Sequence, residues 1–95
     1  MLEPSDSGEC RDFTRLAYEI SEAFDTPVLL RTCTRVAHAQ SLVELKAREE
    51  RPLKEYKKDP SKYVMNPGFA FKRHGVVEAR LKALAEYSES SLLNF

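Results

Sequence analysis

The chain has 95 residues, 15 Lys and Arg against 15 Asp and Glu, and 42% hydrophobic content. That length allows one small domain at most, and a neutral balance argues against a general polyanion binder, which carries a basic excess. The longest uninterrupted apolar stretch, Pro27-Val28-Leu29-Leu30, is far short of the roughly 18–20 residues that span a bilayer.

The start, Met1-Leu2-Glu3-Pro4-Ser5-Asp6, has neither the basic nor the apolar region of a secretory signal. Asp6 followed by Glu9 has the spacing of a capping box, with Ser5 as an alternative cap. Cys10, Phe13, Leu16, Ala17, Ile20, Ala23 and Phe24 then recur at helical spacing, while Arg15, Glu19 and Glu22 fall on the opposite side. These positions predict a helix over 6–24 with one buried stripe. Asp25-Thr26-Pro27 ends it, because Pro27 disfavours helical geometry at Thr26 and cannot extend a helix.

Val28-Leu29-Leu30 is apolar without alternation, which suits a strand buried on both faces, as in a parallel sheet covered by helices. The strand is expected over 28–34. No second strand of comparable quality follows, so the pattern is half of an α/β unit, a piece of a larger sheet. Residues 36–66 form a connector. Within 45–62, eleven of eighteen residues are charged, too polar to anchor themselves, and Pro52, Pro60 and Pro67 favour extended or turn geometry around them. A second helix is expected over 75–88, with Val77, Leu81, Leu84 and either Tyr87 or Ser88 at apolar spacing and Glu78 to Lys82 as a favourable i,i+4 pair.

The chemistry-bearing residues are sparse. His38 and His74 have no partner at metal-ligand spacing, and Cys10 and Cys33 fit neither a zinc site, an iron–sulfur site nor a disulfide framework. A cytoplasmic chain with free thiols is expected, Cys10 being a small core residue. Three glycines, Gly8, Gly68 and Gly75, cannot build a phosphate-cradling loop, and no Ser-His-Asp arrangement can be argued. No self-contained active site or metal site is therefore expected.

Two places stand beside their plainer readings. Arg31, Thr32, Thr34, Arg35 and His38 follow the apolar run. Ligands of open α/β sheets gather at the carboxyl ends of strands, and two guanidinium groups there suit a carboxylate or phosphate. The plainer reading is that they pair with acids at a domain interface. Gly68-Phe69-Ala70-Phe71, near Lys57, Lys58, Lys62, Lys72 and Arg73, partly mimics the aromatic motif of RNA-recognition domains. Pro67 stands there in place of the leading basic residue, and no partner strand precedes it. A small stand-alone interaction or RNA-binding module is the alternative to a sheet fragment.

An ordered series of segments resembles one family. It comprises Met1 to Ser7, Phe24 to Thr32, Thr34-Arg35-Val36-Ala37-His38, Lys58-Asp59-Pro60, Lys62-Tyr63-Val64-Met65, Arg73-His74, Val76-Val77-Glu78, and Glu86-Tyr87 through Leu93-Asn94. Over nearly its whole length the chain is similar to an internal segment of the alpha (large) subunit of indolepyruvate:ferredoxin oxidoreductase. It departs at Cys33, where the family usually has Thr, and at Gly75, where Pro commonly opens the helix.

The resemblance implies an α/β fold class, a fragment of a three-layer thiamin-diphosphate-binding domain with helix, buried strand, extended connector and C-terminal helix. Residues 1–38 would end the pyrimidine-binding domain, 39–66 would be the connector, and 67–95 a helical linker toward the next domain. The whole enzyme would oxidatively decarboxylate aryl pyruvates with coenzyme A and reduce ferredoxin, using thiamin diphosphate, magnesium and 4Fe-4S clusters. Its partners would be the rest of the alpha subunit, the beta subunit, ferredoxin and CoA, with no nucleic acid and no membrane. The glutamate that activates the aminopyrimidine would precede Met1, and the magnesium–diphosphate motif and cluster cysteines would lie elsewhere. The isolated segment would hold no cofactor and be inert.

Overall fold

The structure is a computed structural model that describes residues 1–94. Among the described residues four helices follow in order: α1 (Ser7–Phe24), α2 (Thr34–His38), α3 (Pro60–Tyr63) and α4 (Pro67–Ser90). The chain divides into two compact units, Met1–Glu50 and Arg51–Phe95.

In the first unit, α1 forms where its cap and stripe predict. The Oδ1 of Asp6 accepts the Glu9 N–H at 2.8 Å, and Glu9 Oε2 accepts the N–H and hydroxyl of Ser5 at 2.7 and 2.8 Å. The capping box is thus spread over Ser5 and Asp6, each taking one of the two alternatives. At the other end Asp25 adopts the left-handed conformation, φ 50° and ψ 48°, and its N–H reaches the Ser21 carbonyl. A short polar side chain tolerates that geometry, which stops the helix before Pro27.

The stripe packs inward as expected. Ile20 is 8% exposed, and Cys10, Phe13, Leu16, Ala17 and Phe24 are half-buried, though Ala23 faces solvent. Val36 of α2, 9% exposed, is the other buried hydrophobic residue among those described. So small a core leaves this unit thinly supported on its own.

The described residues are mostly helical, and the strand expected over 28–34 shrinks to one bridged position. Leu30 pairs in parallel with Leu2. The pairing goes no further because Thr34 already opens α2 and the N-terminal partner turns away at Pro4, which is buried. Nor is the strand buried on both faces: Val28 and Leu30 are half-buried, while Leu29 is 64% exposed. The missing neighbour strand is therefore Leu2 itself, at the far end of α1. Leu2, α1 and Leu30 have the connectivity of a βαβ unit, two parallel extended segments joined by a helix.

The charged segment is not uniformly loose. Lys46 Nζ lies 3.4 Å from Asp12 Oδ1, and Glu49 pairs with Arg15, so its first residues are held on the polar side of α1. Opposite charges anchor here what apolar burial does not.

In the second unit the prolines start helices. Asp59 caps α3, accepting from the N–H groups of Ser61 and Lys62 at 3.0 and 3.3 Å, with Pro60 at the first helical position. Asn66 caps α4, accepting from the Phe69 N–H at 2.9 Å, with Pro67 at the first helical position. Proline fits that place because its missing N–H would be unsatisfied there anyway. Consequently α4 begins eight residues before the expected Gly75, which sits inside it. Glu78 is paired one turn back, with His74 Nε2 at 3.5 Å. No described residue of α4 is buried: Phe69, Leu84 and Tyr87 are half-covered, Leu81 faces solvent and Phe71 is 86% exposed.

Candidate functional site

The main chain fixes where Arg31 stands. The Leu2 N–H donates to the Leu29 carbonyl at 2.8 Å, and the Arg31 N–H donates to the Leu2 carbonyl at 2.9 Å. This brings Glu3 beside Arg31, and their side chains pair at 2.5 Å between Nη2 and Oε1. Both groups are solvated, so the pair contributes at most about 1 kcal/mol. Its consequence is chemical, since half of the expected anion grip is already neutralised within the unit.

The other expected residues are laid out by α2. Cys33 is its N-cap in extended geometry, φ −81° and ψ 163°, with no side-chain capping bond. Thr34 is the first helical residue, and Arg35 and His38 lie one helical turn apart in its last turn, where positive charge suits the helix dipole. Thr32, Thr34, Arg35 and His38 are all exposed. Among the described residues Arg35 has no carboxylate within ion-pair distance. The structure thus places all five side chains on the stretch after Leu30, and among the described residues only the Arg31 side chain has an ion-pair partner.

A groove lies on the other side of the same segment, lined by Thr14, Ala17, Tyr18 and Ser21 of α1 and by Val28 and Leu30. Alternation places Val28 and Leu30 against α1 and turns Leu29 away.

Charge clusters outside this segment are structural ties. The Arg11 guanidinium hydrogen-bonds Asp12 at 2.5 Å and holds its carboxyl below the usual carboxylate range, with Lys46 adding to the effect. The pairing with Glu49 pushes Arg15 up. In the second unit, hydrogen bonds from the Ser61 hydroxyl and from the N–H groups of Lys62 and Ser61 hold Asp59 low. Tyr56 and Tyr63 approach at 6.1 Å between ring centroids, and Lys62 Nζ stands 5.2 Å from the Tyr63 ring.

Gly68-Phe69-Ala70-Phe71 lies in the first turns of α4. A helix does not present successive aromatics on one sheet face, so the resemblance to an RNA-stacking strand ends with the local spelling. Sequence reasoning missed the Arg31–Glu3 pair and the tethers from Asp12 and Arg15. The signal available for the first was Glu3 itself, an acidic residue outside the Asp6–Glu9 cap and without an assigned role.

Both cysteines are free thiols, and among the described residues no group of three or more metal-capable side chains forms and no helix is long and apolar enough to cross a membrane.

Comparison with known proteins gives one consistent result. The chain is similar to indolepyruvate oxidoreductase subunit IorA of Methanothermobacter thermautotrophicus, 39% identical over 95 residues, covering 99% of this chain and 15% of the relative. It is 32% identical to the same subunit of Archaeoglobus fulgidus over 97 residues and 34% identical to that of Pyrococcus horikoshii over 101, each covering 100% of this chain and 16% of the relative. The chain therefore spans about one sixth of the length of these curated relatives. No protein-family model matches it, and no solved structure matches it.

Proposed function

This chain is similar, along its whole length, to a segment of indolepyruvate oxidoreductase subunit IorA, and on that premise we propose that it works as part of a larger oxidoreductase subunit acting on indolepyruvate and related aryl pyruvates. The reaction is oxidative decarboxylation with coenzyme A to an aryl-acetyl-CoA, with electrons passed through iron–sulfur clusters to ferredoxin and a beta subunit as partner. The observation that carries this reading is the nearly end-to-end match, 39% identical over 99% of the chain.

Within that subunit the chain belongs to a three-layer α/β domain of the kind that binds the pyrimidine of thiamin diphosphate. The parallel pairing of Leu2 and Leu30 around α1 supports an α/β origin. The residues present do not themselves fit the cofactor. No acidic cluster able to hold magnesium forms among those described, and the glycines stand singly in helices. No chemical step is therefore assigned to this chain. Its part is to build the sheet and to present Arg31, Thr32, Thr34, Arg35 and His38 beyond it. Because Glu3 neutralises Arg31, Arg35 is the cation left for a substrate or CoA anion or for a neighbouring subunit.

The experiment is to purify the full-length polypeptide carrying this sequence, with its co-purifying subunit, and follow viologen reduction with indolepyruvate and CoA. Reduction that requires both compounds supports the reading, and a preparation containing its iron–sulfur clusters that reduces nothing refutes it.

A further inference from the structure

Positive charge in this chain is concentrated in one stretch. Residues 51–73 carry seven basic side chains and two acidic ones, whereas the rest of the sequence carries eight and thirteen. One of the two acids, Asp59, is committed to capping α3 and already feels the charge of Arg73. Among the described residues Lys57, Lys58 and Lys72 have no acid within ion-pair distance. Part of this charge gathers around an aromatic centre. The Tyr56 and Tyr63 rings stand 6.1 Å apart, and Lys62 Nζ lies 5.2 Å from the Tyr63 ring. Tyr56 is 74% exposed and Tyr63 57% exposed, and Lys57 and Lys58, next along the chain, face solvent as well. A small-molecule site buries most of its ligand in a concavity, which side chains this open do not provide. An aromatic centre with a polar rim is instead the anatomy of a protein interface.

We propose that the face formed by Tyr56, Lys57, Lys58, Lys62 and Tyr63 is a reversible docking surface for an acidic, soluble one-electron carrier protein. This inference rests on the reading of the chain as part of an oxidoreductase subunit and names a surface that receives its electron acceptor. The excess of cations selects a partner with an acidic surface. Lysines without acid partners select a partner that comes and goes. Permanent interfaces are large, apolar and poor in lysine, whereas transient ones are smaller and steered by charge. The proposed reaction supplies the need for such a partner. Turning a 2-oxo acid and the CoA thiol into a thioester releases carbon dioxide, one proton and two electrons, so a one-electron carrier must arrive and leave twice per turnover. A nucleic acid fits less well, because the rest of the chain is acidic on balance and repels a long polyanion, and the two tyrosines already pack on each other rather than offering free faces to successive bases.

The test is calorimetric titration of ferredoxin, purified from the same source, into the full-length polypeptide with its co-purifying subunit. The wild-type Kd should weaken at least about fivefold when sodium chloride is raised from about 0.05 to 0.3 M, since screening acts on exposed charges. Lys57→Glu combined with Lys58→Glu should weaken it at least about tenfold at low salt and flatten the salt dependence, while Lys57→Arg combined with Lys58→Arg keeps the wild-type value. Viologen reduction with indolepyruvate and CoA should be unchanged in both variants, because a small cationic acceptor needs no basic docking face. A wild-type Kd indifferent to salt, or charge reversal without effect on Kd, overturns the proposal. Charge reversal that releases the co-purifying subunit, or that strips a nucleic acid bound by the wild type, also overturns it, because the face then has a different occupant. The two readings fail separately. An active enzyme whose ferredoxin affinity ignores these lysines refutes the docking surface and keeps the function, and lysine-dependent ferredoxin binding without viologen reduction keeps the surface and refutes the function.

Discussion

Leu2 and Leu30 are bonded partners across the entire length of α1, through two main-chain hydrogen bonds of 2.8 and 2.9 Å that both use Leu2. The first unit is thereby closed on itself, with the N-terminus tied to the segment after the helix. Leu2→Pro removes the N–H that reaches Leu29. Each such bond is worth about 0.5–1.5 kcal/mol. The Arg31 amide should then exchange about 2- to 10-fold faster while the middle of α1 changes little. An unchanged Arg31 rate would mean that the pairing does not persist in solution.

Asp59 gives a pH dependence whose sign is fixed. Its carboxyl is held below the ordinary 3.8 by the hydrogen bonds that cap α3. A group lowered in the folded state stabilises above its unfolded value, and that contribution disappears as pH falls through the folded one. The Ser61 and Lys62 amides should show hydrogen-bonded chemical shifts at pH 5 that are lost in acid below the ordinary aspartate range, and Asp59→Asn should flatten the titration. A transition at or above 3.8 would contradict the capping geometry.

Gly75 lies within α4, and a Cβ built there meets nothing within 4 Å. Gly75→Ala should therefore stabilise the helix by about 0.5–1 kcal/mol, since glycine loses the most conformational freedom on becoming helical. Greater helical ellipticity and a higher thermal midpoint are expected. A loss of helicity would mean that another body packs against that position.

The elements differed in how plainly their residues announced them. α1 was legible because cap, stripe and terminating proline agree over eighteen residues. The starts of α3 and α4 are equally present, as Asp59-Pro60 and Asn66-Pro67, but a proline that favours extended or turn geometry before it also opens a helix at the first helical position. The partner of Leu30 was hidden for a different reason. Met1-Leu2-Glu3 is too short to show any periodicity, and a parallel pairing is set by tertiary contact rather than local spacing. The tethers from Lys46 and Glu49 to α1 are likewise invisible locally, since a charged run fixes no partner by itself. Of the five candidate site residues, the α2 geometry arranges three, Thr34, Arg35 and His38, but the Glu3 that occupies Arg31 lies 28 positions away in sequence.

Arg35→Ala tests the remaining cation. In the full-length enzyme it should raise KM for a substrate anion or loosen subunit assembly, whereas Arg31→Ala, already neutralised by Glu3, should do less. Unchanged kinetics and unchanged oligomer size in Arg35→Ala would remove this residue from any functional role.

The central claim is that this sequence is one segment of a longer oxidoreductase subunit. Intact-mass measurement of the native polypeptide, captured from its source with an antibody raised against residues 1–24, tests it most directly. A polypeptide about six to seven times the 10.9 kDa of this chain is predicted, in line with relatives of which the chain covers 15 to 16%. A native species of 10.9 kDa, carrying nothing beyond these 95 residues, would contradict it.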